Sequence, residues 1–383
     1  MENWKFDSPG RVVFGNHVSR DTGKHLVKLQ SRSCLVVTDP GIVKAGLLDG
    51  IVKSLEESGV KAAVYDQVQP EPPQENIDEA MTIYKNNGCD AVVGLGGGSA
   101  LDVAKAVAMV AKNGGKFSDY AGIGKVPGKG VPLALIPTTS GTGSEVSIFS
   151  IMVVGGSKAG VVDHLIAADY AIVDPLLTVG LPRHITAATG LDTLCHHLES
   201  YISTNASPLC DVVCLEGLGV IARWLRRAVG NPRDLEARAQ MSYASMLGGY
   251  AMNMTEGAAA VHALAFALGA KFHVAHGLSN AVMVTNVLKA VAAPEYVKLA
   301  RLARAMGENT EGLSDREAAH LAIESIESLV ADVGCDIPLK KLGVTENDLD
   351  ALTDETLTQT RVMGHSTYQL TRDEVRGIFA ATL

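Results

Sequence analysis

The sequence predicts two domains, an α/β domain over residues 1–182 and an all-helical domain over residues 183–383. Short β-branched runs alternate with amphipathic stretches only in the first half. The second half keeps helical apolar spacing with no convincing strand, and Asp174-Pro175 and Leu181-Pro182 punctuate the chain between the two. A chain of 383 residues also exceeds the roughly 250–300 that one hydrophobic core organises.

Residues 34–38 (CLVVT) read as the first strand, followed by a helix over 43–58. A strand at 61–65 and a helix at 76–86 come next, then a strand at 91–95 (AVVGL) and a helix from Ser99 to about Lys112. A strand at 133–136 follows, with further β-rich runs at 148–154 and 170–173. Strand and helix in turn imply a parallel sheet covered by helices. Beyond Pro182 helical spacing recurs over 184–203, 208–228, 235–253, 257–268, 281–291, 294–306 and 315–333.

Composition removes several function classes. With 47% apolar and 20% charged residues the chain is neither disordered nor fibrous. A net charge of −9 repels phosphate backbones, so no nucleic-acid partner is expected. The N-terminal MENWKFDSPG lacks the pattern of a secretory leader. The richest apolar run, 258–270, is too short for a membrane span and contains His262, so it reads as a core helix. The six cysteines form no CxxC pair and read as reduced, mostly buried thiols, which suits a cytoplasmic protein with no membrane partner.

Two polar loops follow strands. In Gly96-Gly97-Gly98-Ser99 the missing side chains let backbone approach a pyrophosphate, and the helix N-terminus offers free N–H groups. Ser99 and Asp102 have the spacing of a capping box, so a well-capped turn is the plain alternative. Asp39, at the end of the first strand, suits a ribose 2′-hydroxyl and repels a 2′-phosphate, favouring NAD over NADP; otherwise it begins an Asp-Pro-Gly turn. The second loop, 137–145 (PTTSGTGSE), offers hydroxyls at Thr138, Thr139, Thr142 and Ser144.

The helical half holds a candidate metal set. Asp192 and His196 are four apart on one helix face. His262 and His276 would lie about 21 Å apart on an unbroken helix. They can share an ion only if the chain turns between them, and Gly269 to Ala275 offers the break. Satisfied core histidines are the plain alternative; one Asp and three His in a single helical half make a metal the better account. Three imidazoles and a carboxylate suit Fe²⁺ or Zn²⁺, with a position open for a substrate oxygen.

Taken together the motifs resemble the iron-containing (group III) alcohol dehydrogenase family. The resemblance runs through GGGSALDVAK (96–105), PTTSGTGSEVS (137–147), AIVDPLLTVGLP (171–182), AATGLDTLCHHLESYIS (187–203) and VHALAFALGAKFHVAHGLSNAV (261–282). It implies a Rossmann-like NAD domain and a helical metal domain, the dehydroquinate synthase-like two-domain fold, with the active site in the cleft between them. It implies metal ligation by Asp192, His196, His262 and His276. It also implies cofactor contacts from Asp39, Asp102, Thr138, Thr139, Lys158 and Thr178, and a substrate wall from Phe149, Asn253, Phe266 and residues 363–365. The expected substrate is a small alcohol or aldehyde, and the expected assembly a homodimer or larger homo-oligomer.

Two departures stand out. Many relatives carry a histidine where this chain has Phe266, which cannot relay protons. Proton exchange is then expected through His273, His365, bound water or a ribose hydroxyl. The family's usual Asn-Pro-Arg near the C-terminus is replaced by Ser366-Thr367-Tyr368. Asn253, often aromatic in relatives, hints at a polar substrate. His197, beside a ligand, reads as structural. A glycerol-dehydrogenase-like or dehydroquinate-synthase-like enzyme on the same fold is the first alternative, and a non-catalytic NAD-binding protein the second.

Overall fold

The computed structural model describes Trp4, Phe6, Ser8 and residues 10–383; the reading of the first ten residues falls largely outside these. The chain divides into two compact units, Asp7–Gly180 and Leu181–Leu383, with Trp4 and Phe6 grouped with the second.

In the α/β unit, apolar runs buried on both faces make central parallel strands. The six-stranded sheet runs Arg11–Phe14, Tyr170–Val173, Leu133–Pro137, Ala91–Gly96, Ser33–Val37, Lys61–Tyr65 from edge to edge, all parallel. The three strands Ser33–Val37, Ala91–Gly96 and Leu133–Pro137 are buried throughout and adjacent, paired as Val37↔Gly94 and Gly96↔Pro137. Their carboxyl ends therefore lie side by side.

Three sequence expectations change here. The run at 148–154 is a strand, Phe149–Val154, but it leaves the main sheet and pairs antiparallel with Ser157–Val162 in a separate three-stranded sheet. Gly155 and Gly156, both at positive φ, supply the two-residue turn that makes this a hairpin. The helix expected over 43–58 is two helices, Pro40–Lys44 and Leu48–Glu57, separated at Gly46 with φ 71°. The edge strand Arg11–Phe14, only four residues long and exposed at both ends, was not read from the sequence.

The other unit is helical, and among its described residues only an isolated bridge, Ser203 to Ser366, is β-like. Its centre is the helix Arg183–Tyr201, which is buried without interruption from Gly190 to Tyr201. The helices Pro208–Gly230 and Leu235–Thr255 pack against it, and Ala260–Phe272 and His276–Val291 complete its surroundings. The guanidinium of Arg238, itself buried, pins the start of the central helix by donating to the Thr186 hydroxyl and the Leu181 and Pro232 carbonyls. In this unit three helices escaped the sequence reading, Leu349–Thr358, Thr360–Met363 and Arg372–Thr382, as did Thr22–Lys28 in the α/β unit.

All six cysteines are free and buried. Among the described residues no helix is long and apolar enough to cross a membrane.

Candidate active site

The central helix presents Asp192 and His196 one turn apart, as the spacing requires. His262 comes from the helix Ala260–Phe272, and His276 opens the helix His276–Val291. The break between them falls within the expected stretch from Gly269 to Ala275, after Gly269 itself, which stays helical. It is made by His273, a left-handed C-cap at φ 53°. Gly277 lets the returning helix come close: a Cβ there would stand 2.4 Å from the Ala188 carbonyl oxygen of the central helix.

Four side chains converge through this packing. Asp192 Oδ1 is 3.6 Å from the Nε2 of His196, of His262 and of His276. A tetrahedral ion with ligand distances of about 2.0–2.2 Å has ligand–ligand edges of roughly 3.3–3.6 Å, so this spacing fits one. Ligand atoms of Asp192, His196 and His262 all lie within 4.8 Å of one another. The side chain of His276 is 31% exposed against 3–6% for the other three, so the cluster opens on the His276 side.

The cluster's electrostatics match its chemistry. Burial alone would push the Asp192 carboxyl up, yet His196, His276 and His262 hold it well below the usual carboxylate range. Burial opposes protonation of His262, but Glu199 and Asp192 outweigh it and push the imidazole up to about 9. An anionic oxygen ringed by imidazoles is a donor set that a divalent cation completes.

Two buried residues around the cluster were missed by sequence reasoning. Glu199 accepts from His262 Nδ1 through Oε2, and from the Val261 backbone N–H through Oε1 at 2.5 Å. Asn280 donates from Nδ2 to Asp192 Oδ1 at 2.7 Å and lies 3.2 and 3.3 Å from the Nε2 atoms of His262 and His276. The signal was present: Glu199 is seven residues after Asp192 and Asn280 four after His276, each on its ligand's helix face.

Phe266 lies over the open side, stacked on His276 at 5.5 Å and edge-on to His262 at 6.1 Å. His365 is half-buried, its Nδ1 3.0 Å from the Ala258 carbonyl oxygen in the turn that leads into the His262 helix. That carbonyl accepts the Nδ1 proton and leaves Nε2 as an acceptor. His273 is exposed. Asn253 is buried on the helix Leu235–Thr255. His197 is structural: burial pulls it down to about 4 and its Nε2 donates to the Ala244 carbonyl at 2.9 Å.

In the α/β unit most of the candidate cofactor residues sit at or after the three adjacent strand ends, while Lys158 lies on the hairpin strand Ser157–Val162 and Thr178 follows the strand Tyr170–Val173. Asp39 follows Ser33–Val37, the glycine loop ends Ala91–Gly96, and Thr138 follows Leu133–Pro137. Thr138 N–H donates to the Gly96 carbonyl at 2.9 Å and ties the two loops together. A Cβ on Gly98 would meet the Thr142 methyl at 2.7 Å, and one on Gly96 would come within 3.2 Å of Asp39 Oδ2. The loops close on one another only because these side chains are missing.

The helix after the loop is Gly98–Asn113, with Gly97 as N-cap and no side-chain cap, so the Ser99–Asp102 capping box does not form. Asp102 instead binds inward, accepting from the Ser144 hydroxyl at 2.6 Å and the Ile151 N–H at 3.0 Å. The first turn's N–H groups are left to an outside acceptor.

The cofactor candidates thus divide. Asp39, Gly97, Gly98, Ser99, Thr139, Thr142 and Lys158 are partly exposed. Gly96, Thr138, Ser144 and Thr178 are buried, and the Thr178 hydroxyl donates to the Pro175 carbonyl of its own turn. Asp39 Oδ1 caps Pro40–Lys44 by accepting from Gly41 and Ile42 N–H. Lys158 pairs with Glu71 at 2.7 Å, and Phe149 is buried in the hairpin.

Comparison with known proteins follows the same division. The family model for iron-containing alcohol dehydrogenase matches residues 9–175, and the model for the C-terminal part of the Fe-containing alcohol dehydrogenase family matches 186–383. The chain is 40% identical to long-chain-alcohol dehydrogenase 1 of Geobacillus thermodenitrificans (strain NG80-2), over 98% of this chain and 97% of that protein. It is 37% identical to 1,3-propanediol dehydrogenase of Citrobacter freundii, over 89% of each. Among solved structures, 1,3-propanediol oxidoreductase superposes with a TM-score of 0.97 at 33% identity, covering 100% of both chains.

Proposed function

The chain belongs to the iron-containing alcohol dehydrogenase family, and from that premise we propose that it is an NAD-dependent, Fe²⁺-dependent alcohol dehydrogenase and aldehyde reductase for a small alcohol or aldehyde. The observation that carries the metal reading is Asp192 Oδ1 standing 3.6 Å from each of three imidazole Nε2 atoms. Zn²⁺ suits the same donor set. When bound, the cation supplies Lewis acidity to a substrate oxygen and the nicotinamide gives or takes hydride.

The chain's own residues do the rest. The backbone of Gly97–Ser99 receives pyrophosphate at an uncapped helix start, with Thr139 and Thr142 alongside. Asp39 selects NAD: its Oδ2 faces Gly96, and a 2′-phosphate there would meet a like charge. Phe266 walls the open side of the ligand cluster with an apolar ring that directs the substrate towards His276. Asn253, buried on the helix Leu235–Thr255 of the same unit, extends the proposed substrate wall. His365 handles the substrate proton at Nε2, since its Nδ1 is committed to the Ala258 carbonyl; His273, an exposed helix cap, is the weaker relay.

The chain works in the cytoplasm, where six buried free thiols stay reduced, and assembles as a homodimer or larger homo-oligomer. The test is NADH formation by metal-stripped and Fe²⁺-reloaded protein against a panel of primary alcohols and 1,3-propanediol. Turnover only after reloading, with NAD and not NADP, supports the reading. Equal turnover by the stripped protein contradicts it.

A further inference from the structure

Glu199 stands outside the four ligands, yet its two oxygens reach two different parts of the site. Oε2 meets His262 Nδ1, the ring nitrogen turned away from Asp192. Oε1 accepts from the Val261 N–H at 2.5 Å and lies 3.4 Å from the His262 N–H, in the first turn of the helix Ala260–Phe272. That helix has no side-chain cap of its own: its N-cap is Ala259. Glu199 belongs to a different helix, the one carrying Asp192 and His196. It is 2% exposed and lines a small cavity with Leu198, Ile202, Val287 and Val291.

We propose that Glu199 is a positioning residue that fixes both the tautomer of His262 and the start of the helix that carries it. An acceptor at Nδ1 keeps the proton on that nitrogen and turns the Nε2 lone pair towards Asp192. The carboxylate also satisfies first-turn N–H groups and the positive end of the helix dipole. One side chain from the Asp192/His196 helix thereby sets the aim of the third ligand. The inference rests on the metal reading of the cluster and extends it to a residue that does not touch the ion.

The test measures Zn²⁺ affinity by competition with a chromophoric chelator, on metal-stripped wild type, Glu199→Gln and Leu264→Ala. The last removes buried bulk from the same helix and controls for stability alone. Gln keeps the shape and can still cap Val261, but its amide cannot offer two acceptors. Glu199→Gln is expected to bind Zn²⁺ about 10–100-fold more weakly, with Leu264→Ala near wild type despite a lower Tm. Equal affinity in Glu199→Gln and wild type would overturn the proposal and leave the metal site standing. Wild type that takes up no Zn²⁺ would overturn the metal reading and this inference with it. If Glu199→Gln does not fold, ¹⁵N-histidine spectra of Zn²⁺-loaded wild type decide: a proton on Nδ1 of His262 is expected, and a bare Nδ1 refutes the assignment.

Discussion

The helical unit gathers lone pairs, while the α/β unit leaves side chains out. In the first, three helices bring a carboxylate and three imidazoles together, and buried partners such as Glu199 and Asn280 hold them in place. In the second, three strand ends are capped by loops whose approach depends on missing Cβ atoms at Gly96 and Gly98. The candidate metal site is specified by what each residue carries, the candidate cofactor loop by what its residues lack. Substitutions should therefore fail differently in the two places.

The largest effect is expected at the ligands. Asp192→Ala removes the one anion that the three imidazoles share, and should weaken metal binding by about a thousandfold or more. Metal content after dialysis, by atomic emission, checks it. The same variant should bind NADH as wild type does; a joint loss would break the division of labour.

In the glycine loop, Gly97→Trp should act by filling space. The backbone there has room, since a Cβ on Gly97 makes only an ordinary contact of 3.4 Å with Thr139. NADH affinity, followed by fluorescence titration, should fall about 10–100-fold, the loss of one or more hydrogen bonds to a charged group. Metal content should not change.

A third prediction concerns charge buried beneath that loop. Lys105 is sealed against Ser147 Oγ at 3.0 Å and the Phe149 carbonyl at 2.5 Å, and burial pulls its ammonium down. Burial pushes the nearby Glu145 up to about 7 from an ordinary 4.5. A raised carboxyl contributes stability that is complete below pH 4.5 and is lost as pH rises through 7. Glu145→Gln should remove that slope, leaving the variant more stable at pH 8 by on the order of 3 kcal/mol. Urea unfolding at pH 5 and pH 8 measures it, and parallel slopes in the two proteins would refute the assignment.

The smallest effect is expected at Asp39. Asn keeps the cap on Gly41 and Ile42 while removing the charge. Asp39→Asn should leave Tm nearly unchanged and relax the preference for NAD over NADP by about tenfold, a difference near 1.4 kcal/mol. Comparing kcat/KM for the two cofactors shows it.

These contrasts also explain what the sequence disclosed. Periodicity revealed the central strands and the ligand helices because each buries a continuous or periodic apolar set. The hairpin Phe149–Val162 was half visible, since its second strand, SKAGVV, has little apolar bulk and rests on a glycine turn. The break between His262 and His276 falls within the stretch from Gly269 to Ala275 where it was expected, and a left-handed His273, a residue type enriched at positive φ, makes it. The inward turn of Asp102 was hidden because a capping-box spacing says nothing about what else the carboxylate can reach. Glu199 and Asn280 lay in plain view at helical spacings, but only tertiary contacts show what they hold.

The central claim, a metal-bearing helical unit and a nucleotide-bearing α/β unit that are both needed for turnover, is tested most directly in His262→Ala. Wild type and variant would be reconstituted anaerobically with Fe²⁺ and assayed together for bound iron, NADH affinity and alcohol-dependent NADH formation. The account predicts that the variant loses iron and turnover while its NADH affinity stays within about twofold of wild type. Full turnover in a variant without iron would contradict it.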